Sequence, residues 1–349
     1  MKRAVSFVAL CISALLIAPA AFAKQPKYVF YFIGDGLGAS QRQFSEFFLR
    51  EKMNNPASHL LMNTFDVAGV NTTYAANTLI TDSAAAGTAL ASGVKTNKGV
   101  IGKDSDGHDV KTLIEAAEAH HMATGIVTTT RITHATPAAF VAHNISRDNE
   151  NEIAEDFAKS NVDFIAGGGI RHFIPQAMKV EHGDAVGGTI KSKRKDDKNL
   201  VENFSSQGYR TLIGMEGATA FNQQDFSDLD KVVALFTYSH MPYEIERMNH
   251  YTEVPSLAKM TRAGIDVLQK DEDGFFLMVE GGRIDHAAHA NDPTGVIYDT
   301  IAFDKAIQEA YTFYKSHPED TLIVVVGDHE TGGMGLGMVR KGFKRSRKR

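Results

Sequence analysis

The stretch Tyr28-Val29-Phe30-Tyr31-Phe32-Ile33-Gly34-Asp35-Gly36 decides the fold. Six consecutive apolar side chains leave no face for water, so this segment reads as a strand covered on both sides. It stops at an acid set between two glycines. The same design returns twice. Residues 275–279 run into Glu280-Gly281-Gly282, and residues 322–326 run into Gly327-Asp328-His329-Glu330-Thr331-Gly332-Gly333. Further apolar runs stand at 124–130, 162–165 and 232–236, and a weaker one, interrupted by Gly69 and Asn71, at 67–74. Helical patterns separate them at 84–91, 110–120, 150–159, 256–270 and 294–315. Apolar strands alternating with helices predict an α/β three-layer sandwich, a largely parallel sheet flanked by helices. No Pro- or Gly-rich linker divides the chain and no repeat is visible, so residues 24–339 read as one domain. Residues 176–200, with five lysines or arginines between Lys191 and Lys198, read as a solvated loop without function.

Composition narrows the function. The chain has 349 residues, 43% hydrophobic and 23% charged, enough to bury a large core. The net charge of −5 is unevenly spread, because the last ten residues hold seven Lys/Arg and no acid. Without those seven and without Lys2 and Arg3, 28 of the 37 basic residues face all 42 acids. An acidic body of this kind excludes a nucleic-acid surface and suits a protein that gathers cations. Lys2 and Arg3, the apolar stretch 4–18 and Ala21-Phe22-Ala23 have the layout of a secretory signal over residues 1–23, too short to serve as a stable membrane anchor. The only cysteine, Cys11, lies inside it, so the mature chain has neither disulfide nor thiolate. A periplasmic or secreted bacterial protein is expected.

The strand ends carry the chemistry. In parallel α/β sheets the ligand crevice lies at the carboxyl ends of the strands. Asp35, Glu280, Asp328 and His329 would gather there, and like charges so close are unfavourable without a cation among them. Asp285 and His289 are spaced i and i+4 on one helix face, a carboxylate–imidazole pair of the kind that binds zinc. In Thr81-Asp82-Ser83-Ala84-Ala85-Ala86-Gly87 a serine stands where a helix of small residues begins. Helix capping by Asp82 or Ser83 is the simple reading, and an anion-facing nucleophile is the functional one. Arg147 follows His134-Ala135-Thr136-Pro137, and its fork matches two phosphate oxygens, although spacing does not separate it from a surface arginine.

Taken together, Gly34-Asp35-Gly36, Thr81 to Ala85, His134 to Ala139, Glu280 to His289 and Gly327 to Gly333 resemble the bacterial alkaline phosphatases, in that family's order. The resemblance implies a phosphomonoester hydrolase with two Zn2+ ions, one Mg2+ ion and a phosphoserine intermediate. Ser83 would be the nucleophile. Asp35, Asp328 and His329 would hold the zinc that activates it, Asp285 and His289 the other zinc, and Asp35, Thr136 and Glu280 the magnesium. Arg147 would grip the phosphate of small-molecule phosphomonoesters, with Asp82 orienting it. His134 and His286 occupy positions that vary in the family and are expected to tune the magnesium site or phosphate release. The resemblance also implies a possible homodimer.

One element of the pattern is missing. The resemblance calls for a further histidine downstream as third ligand of the Asp285/His289 zinc, and no histidine follows His329. With the abrupt basic tail at 340–349, this favours a frameshifted or truncated member with impaired activity. A non-catalytic phosphate or metal binder is the alternative. A dinucleotide-binding reading of Gly34-x-Gly36-x-x-Ala39 lacks the acid about twenty residues on, where Asn54-Asn55-Pro56-Ala57-Ser58 stands.

Overall fold

The computed structural model describes residues 25–182 and 188–335. The expected leader and the basic tail lie outside them. β1 (Tyr28–Gly34) lies between β8 (Phe275–Gly281) and β9 (Thr321–Gly327), parallel to both. β2 (Ala123–Arg131), β3 (Phe164–Gly168), β6 (Arg210–Ile213) and β7 (Val232–Leu235) complete one parallel seven-stranded sheet, in the order β6-β7-β3-β2-β8-β1-β9. Its apolar residues face two ways because both faces are covered. Phe30, Phe32 and Leu277 pack under α9 (Leu257–Leu268) and α11 (Pro293–Ser316). Ile33, Ile126 and Met278 pack under α2 (Ser83–Ser92), α3 (Leu113–Ala119) and α5 (Glu150–Lys159). This is the three-layer α/β sandwich that the continuous apolar runs require.

Several elements were not visible in the sequence. α1 (Ala39–Lys52) buries Gln41, Ser45 and Glu46, so no apolar stripe marks it. Glu46 is bound there by Arg50 at 2.5 Å and Asn63 at 2.6 Å. The expected strand at 67–74 does not form. Val67 and Val70 stand 89% and 101% exposed, and among the described residues no strand pairs with this segment, so their β-propensity has nothing to pack on. Residues 176–200 are not simply a solvated loop. They contain the antiparallel pair β4 (Lys179–His182) and β5 (Gly188–Lys191). Arg194 behind it is buried, its Nη2 2.8 Å from Glu155 and its Nε 2.7 Å from Asp196. No helix among the described residues is long and apolar enough to cross a membrane.

Two predictions arise from the fold itself. β9 is an edge strand whose outer side pairs with no other strand among the described residues, and Leu322 on it is 44% exposed. An apolar edge invites strand pairing between copies, and lysine on an edge discourages it. Sedimentation velocity should therefore show concentration-dependent association that weakens in Leu322→Lys; identical association in both proteins would contradict this. The second concerns Asp299 on α11, which is buried and has its pKa pushed up to about 8 by that burial. An unfolded aspartate titrates near about 3.9. The folded state therefore binds a proton that the unfolded state has released, and stability falls as pH rises from about 4 to about 8. Asparagine does not titrate. Its amide oxygen can still accept the Glu244 N–H, which lies 3.2 Å from Asp299 Oδ2. Asp299→Asn should raise Tm by more at pH 8 than at pH 5, and a pH-independent difference would refute the assignment.

Candidate metal centre

Strand register builds the centre. Gly34 of β1 sits opposite Gly281 of β8 and Gly327 of β9. The next residues along β1 and β9, Asp35 and Asp328, therefore emerge side by side, with Glu280 one residue back on β8. All three are buried, Asp35 and Glu280 completely. Gly36 has φ +68, and its N–H donates to Asp328 Oδ1 at 3.0 Å. A Cβ at that position would come 2.8 Å from Asp285 Oδ1, so glycine is what lets Asp285 approach. Asp285 lies in the first turn of α10 (Arg283–His289), which starts where β8 ends.

Ser83 enters from α2. Its Oγ donates to Asp35 Oδ1 at 3.2 Å and lies 3.1 Å from His329 Nε2. Asp82 caps the helix, its Oδ1 accepting from the N–H groups of Ala85 and Gly99 at 3.1 Å each. Its Oδ2 accepts from Arg147 Nη1 at 3.1 Å. The small residues of α2 permit close packing. A Cβ on Gly87 would sit 3.2 Å from Ala139 Cβ, just past α4 (Ala135–Ala138). That packing brings Thr136 of α4 to the centre, its Oγ1 3.5 Å from Asp35 Oδ2.

Electrostatics mark the place for cations. Burial, and then the neighbouring Asp328, Asp285 and Glu280, push Asp35 well above the usual carboxylate range. Burial raises Glu280 to about 7 against the hydrogen bonds from Thr128 and Thr130. It also raises Asp328, against the pull of His329. For Asp82 burial again opposes charge, but the two backbone N–H bonds and Arg147 outweigh it and hold the pKa low. Glu280 Oε1, Asp285 Oδ1, Asp328 Oδ2 and His134 Nδ1 are buried without a hydrogen-bond partner. Three orphaned carboxylate oxygens in one cleft are costly unless something positive satisfies them. Two groups, Asp35/Asp285/His329 and Asp35/His134/Glu280, each bring their ligand atoms within 4.8 Å of one another. Carboxylates with imidazole form a donor set suited to Zn2+, and the oxygen-rich Asp35/Glu280 side suits Mg2+. The residues present fit the metals.

The sequence-derived residues thus fall into distinct positions. Asp35, Ser83, Asp285, Asp328 and His329 converge, Thr136 and Glu280 adjoin Asp35, and Arg147 joins Asp82. His289 is the outlier. It is 3.6 Å from Asp285 Oδ2, its side chain is 70% exposed, and it belongs to neither group. His240 was missed altogether. It lies beyond the carboxyl end of β7, its ring 5.4 Å from His134 and 4.2 Å from His286. The strand-end rule that selected Asp35 would have flagged it, but no glycine-flanked acid marks that loop.

Comparison with known proteins follows the same lines. The alkaline phosphatase family model matches residues 26–345. Alkaline phosphatase 3 of Bacillus subtilis is 36% identical over 321 residues, covering 89% of this chain and 62% of that protein. The structure of alkaline phosphatase from the Antarctic bacterium TAB5 superposes with a TM-score of 0.75 at 33% identity, covering 89% of this chain and 81% of that one. A magnesium-bound variant of the TAB5 enzyme gives 0.73 at 32% identity, covering 89% and 80%. The chain spans about six-tenths of the length of the curated relatives it matches.

Proposed function

This chain belongs to the alkaline phosphatase family, and from that premise we propose that it hydrolyses small phosphomonoesters through a phosphoserine formed at Ser83. The observation that carries the reading is the position of Ser83 Oγ, 3.2 Å from Asp35 and 3.1 Å from His329, at the start of a helix and beside carboxylates with unpartnered oxygens. Asp35, Asp328, His329 and Ser83 would hold one zinc, Asp285 and His289 a second, and Asp35, Thr136 and Glu280 the magnesium. When bound, these ions supply positive charge that neutralises the carboxylates and the phosphoryl group and lowers the pKa of hydroxyl and water.

The chain's own groups do the rest. Arg147 presents its guanidinium to two phosphoryl oxygens, and Asp82, ionised and fixed by backbone N–H groups, holds that guanidinium at its Nη1. The free N–H groups at the start of α2 favour the anion. Ser83 Oγ attacks phosphorus as its proton leaves, the ester P–O bond breaks, and the leaving oxygen takes a proton to become an alcohol. Water then attacks the phosphoserine from the vacated side, returning the serine hydroxyl and inorganic phosphate. Among the described residues Asp285 and His289 are the ligands this zinc would take, and the His289 side chain is exposed, so this ion should be the more readily exchanged of the two. Export to the periplasm or medium belongs to it too, resting on the leader pattern of residues 1–23.

Incubating the metal-loaded protein with radioactive phosphate, quenching in acid and mapping the label tests it. Label on Ser83 supports the reading. Phosphate that binds without ever labelling Ser83 would leave the non-catalytic binder as the function.

A further inference from the structure

Arg147 owes its aim to more than Asp82. Its Nη2 lies 3.1 Å from His134 Nε2. The His134 ring is in turn one corner of a triangle of imidazoles. The centroids of His134 and His240 are 5.4 Å apart at 80°, those of His134 and His286 5.4 Å at 68°, and those of His240 and His286 4.2 Å at 62°. Three steeply inclined rings in mutual contact fix one another only if at least one is anchored from outside.

His240 is so anchored. Arg131, the last residue of β2, faces both ring nitrogens of His240, its backbone N–H 3.3 Å from Nδ1 and its Nη1 against Nε2, and the one lone-pair nitrogen of the imidazole accepts from whichever of these donors it meets. The rest of that guanidinium is spent on Glu150, Nε to Oε2 at 2.6 Å and Nη2 to Oε1 at 2.9 Å. Glu150 is itself held by Thr133 Oγ1 at 2.6 Å. A bidentate arginine–carboxylate pair is among the stiffest side-chain contacts available, so Arg131 offers its last nitrogen in a fixed direction. His286 has its own tie, Nδ1 to Arg283 Nη1 at 2.9 Å.

We propose that His240, clamped by the Arg131–Glu150 pair, is a positioning residue for phosphate recognition, holding the His134 ring and through it the Arg147 guanidinium. The inference rests on the phosphomonoesterase reading. It adds to that reading a line of residues, of which only His134 borders a candidate metal group, that determines how well phosphate is gripped. Arg147 would grip phosphate in the ground state and the transition state alike. Loss of its support should therefore raise KM and leave kcat nearly unchanged.

The test uses the metal-loaded full chain, inorganic phosphate in titration calorimetry and nitrophenyl phosphate in turnover. His240→Ala should weaken phosphate binding and raise KM about threefold to tenfold, the worth of one ordinary hydrogen bond. His240→Phe keeps the ring and its packing but loses the tie to Arg131. It should shift both quantities the same way by less, and it decides the matter if the alanine variant does not fold. In an Arg147→Ala background, His240→Ala should have no further effect on phosphate affinity, because the residue through which it acts is gone. Unchanged affinity in both single variants, or a full additional loss in the Arg147→Ala background, overturns the inference while leaving the functional reading intact. Wild-type protein that neither binds phosphate nor turns over ester overturns the functional reading, and the inference with it.

Discussion

Ser83→Ala should abolish acid-stable phosphate on the protein and lower ester turnover about a thousandfold or more, the scale seen when a nucleophile is removed from a cooperating site. The expectation comes from placement. In the proposed reaction Ser83 would supply the attacking oxygen, with Oγ 3.2 Å from Asp35 Oδ1 and 3.1 Å from His329 Nε2. Thr136, the nearby hydroxyl, stands on the far side of Asp35, 3.5 Å from Oδ2, and cannot substitute. The fold should survive, because alanine already fills the next three positions of α2 and the helix cap belongs to Asp82. What remains in the variant is Arg147, the helix N-terminus and the carboxylates, so phosphate binding should persist while covalent labelling vanishes. Turnover within tenfold of wild type, measured with nitrophenyl phosphate under the same metal loading, would remove Ser83 from its role.

Stripping divalent ions with a chelator should lower thermal stability markedly, and restoring zinc and magnesium should recover it, more at pH 8 than at pH 5. Asp35, Glu280 and Asp328 all have folded-state pKa values above the ordinary carboxylate value, with Glu280 near about 7. Their unfolded counterparts titrate near about 4. As pH rises between those limits the metal-free folded state must ionise buried, mutually repelling carboxylates or hold protons that the unfolded chain has given up. Stability therefore falls with pH in this window and does not recover above it. Cations remove the conflict, most effectively where the carboxylates are charged. A ligand present at a hundred times its Kd adds about 2.7 kcal/mol, which for a chain of this size means roughly 5 °C in Tm. Differential scanning fluorimetry with and without added metal reads this directly. A Tm indifferent to zinc and magnesium at pH 8 would mean that the carboxylates gather for another reason.

The legible parts of the molecule were those in which local sequence and tertiary environment agree. β1, β8 and β9 are covered by neighbours on both faces or one, and their apolar runs said so; α5 has the bounds that its amphipathic pattern set, Glu150–Lys159. The motif acids were legible because a parallel register carries every strand end to the same level, as Gly34, Gly281 and Gly327 show. The rest depended on partners far away in sequence. α1 buries polar residues that hydrogen bonds satisfy, so periodicity is silent there. Residues 67–74 have strand composition, but among the described residues no strand pairs with them. Arg194 sits in a charged run and is buried by Glu155 and Asp196. His240 takes its meaning from Arg131, 109 residues away.

Cations gathered by Asp35, Asp328 and His329 beside the Ser83 hydroxyl are the premise of the proposed phosphatase chemistry. Crystals grown with zinc and measured on both sides of the zinc absorption edge test it most directly. An anomalous peak is expected in contact with those three side chains and next to Ser83 Oγ. Strong peaks confined to exposed histidines elsewhere, with none in that cleft, would contradict it.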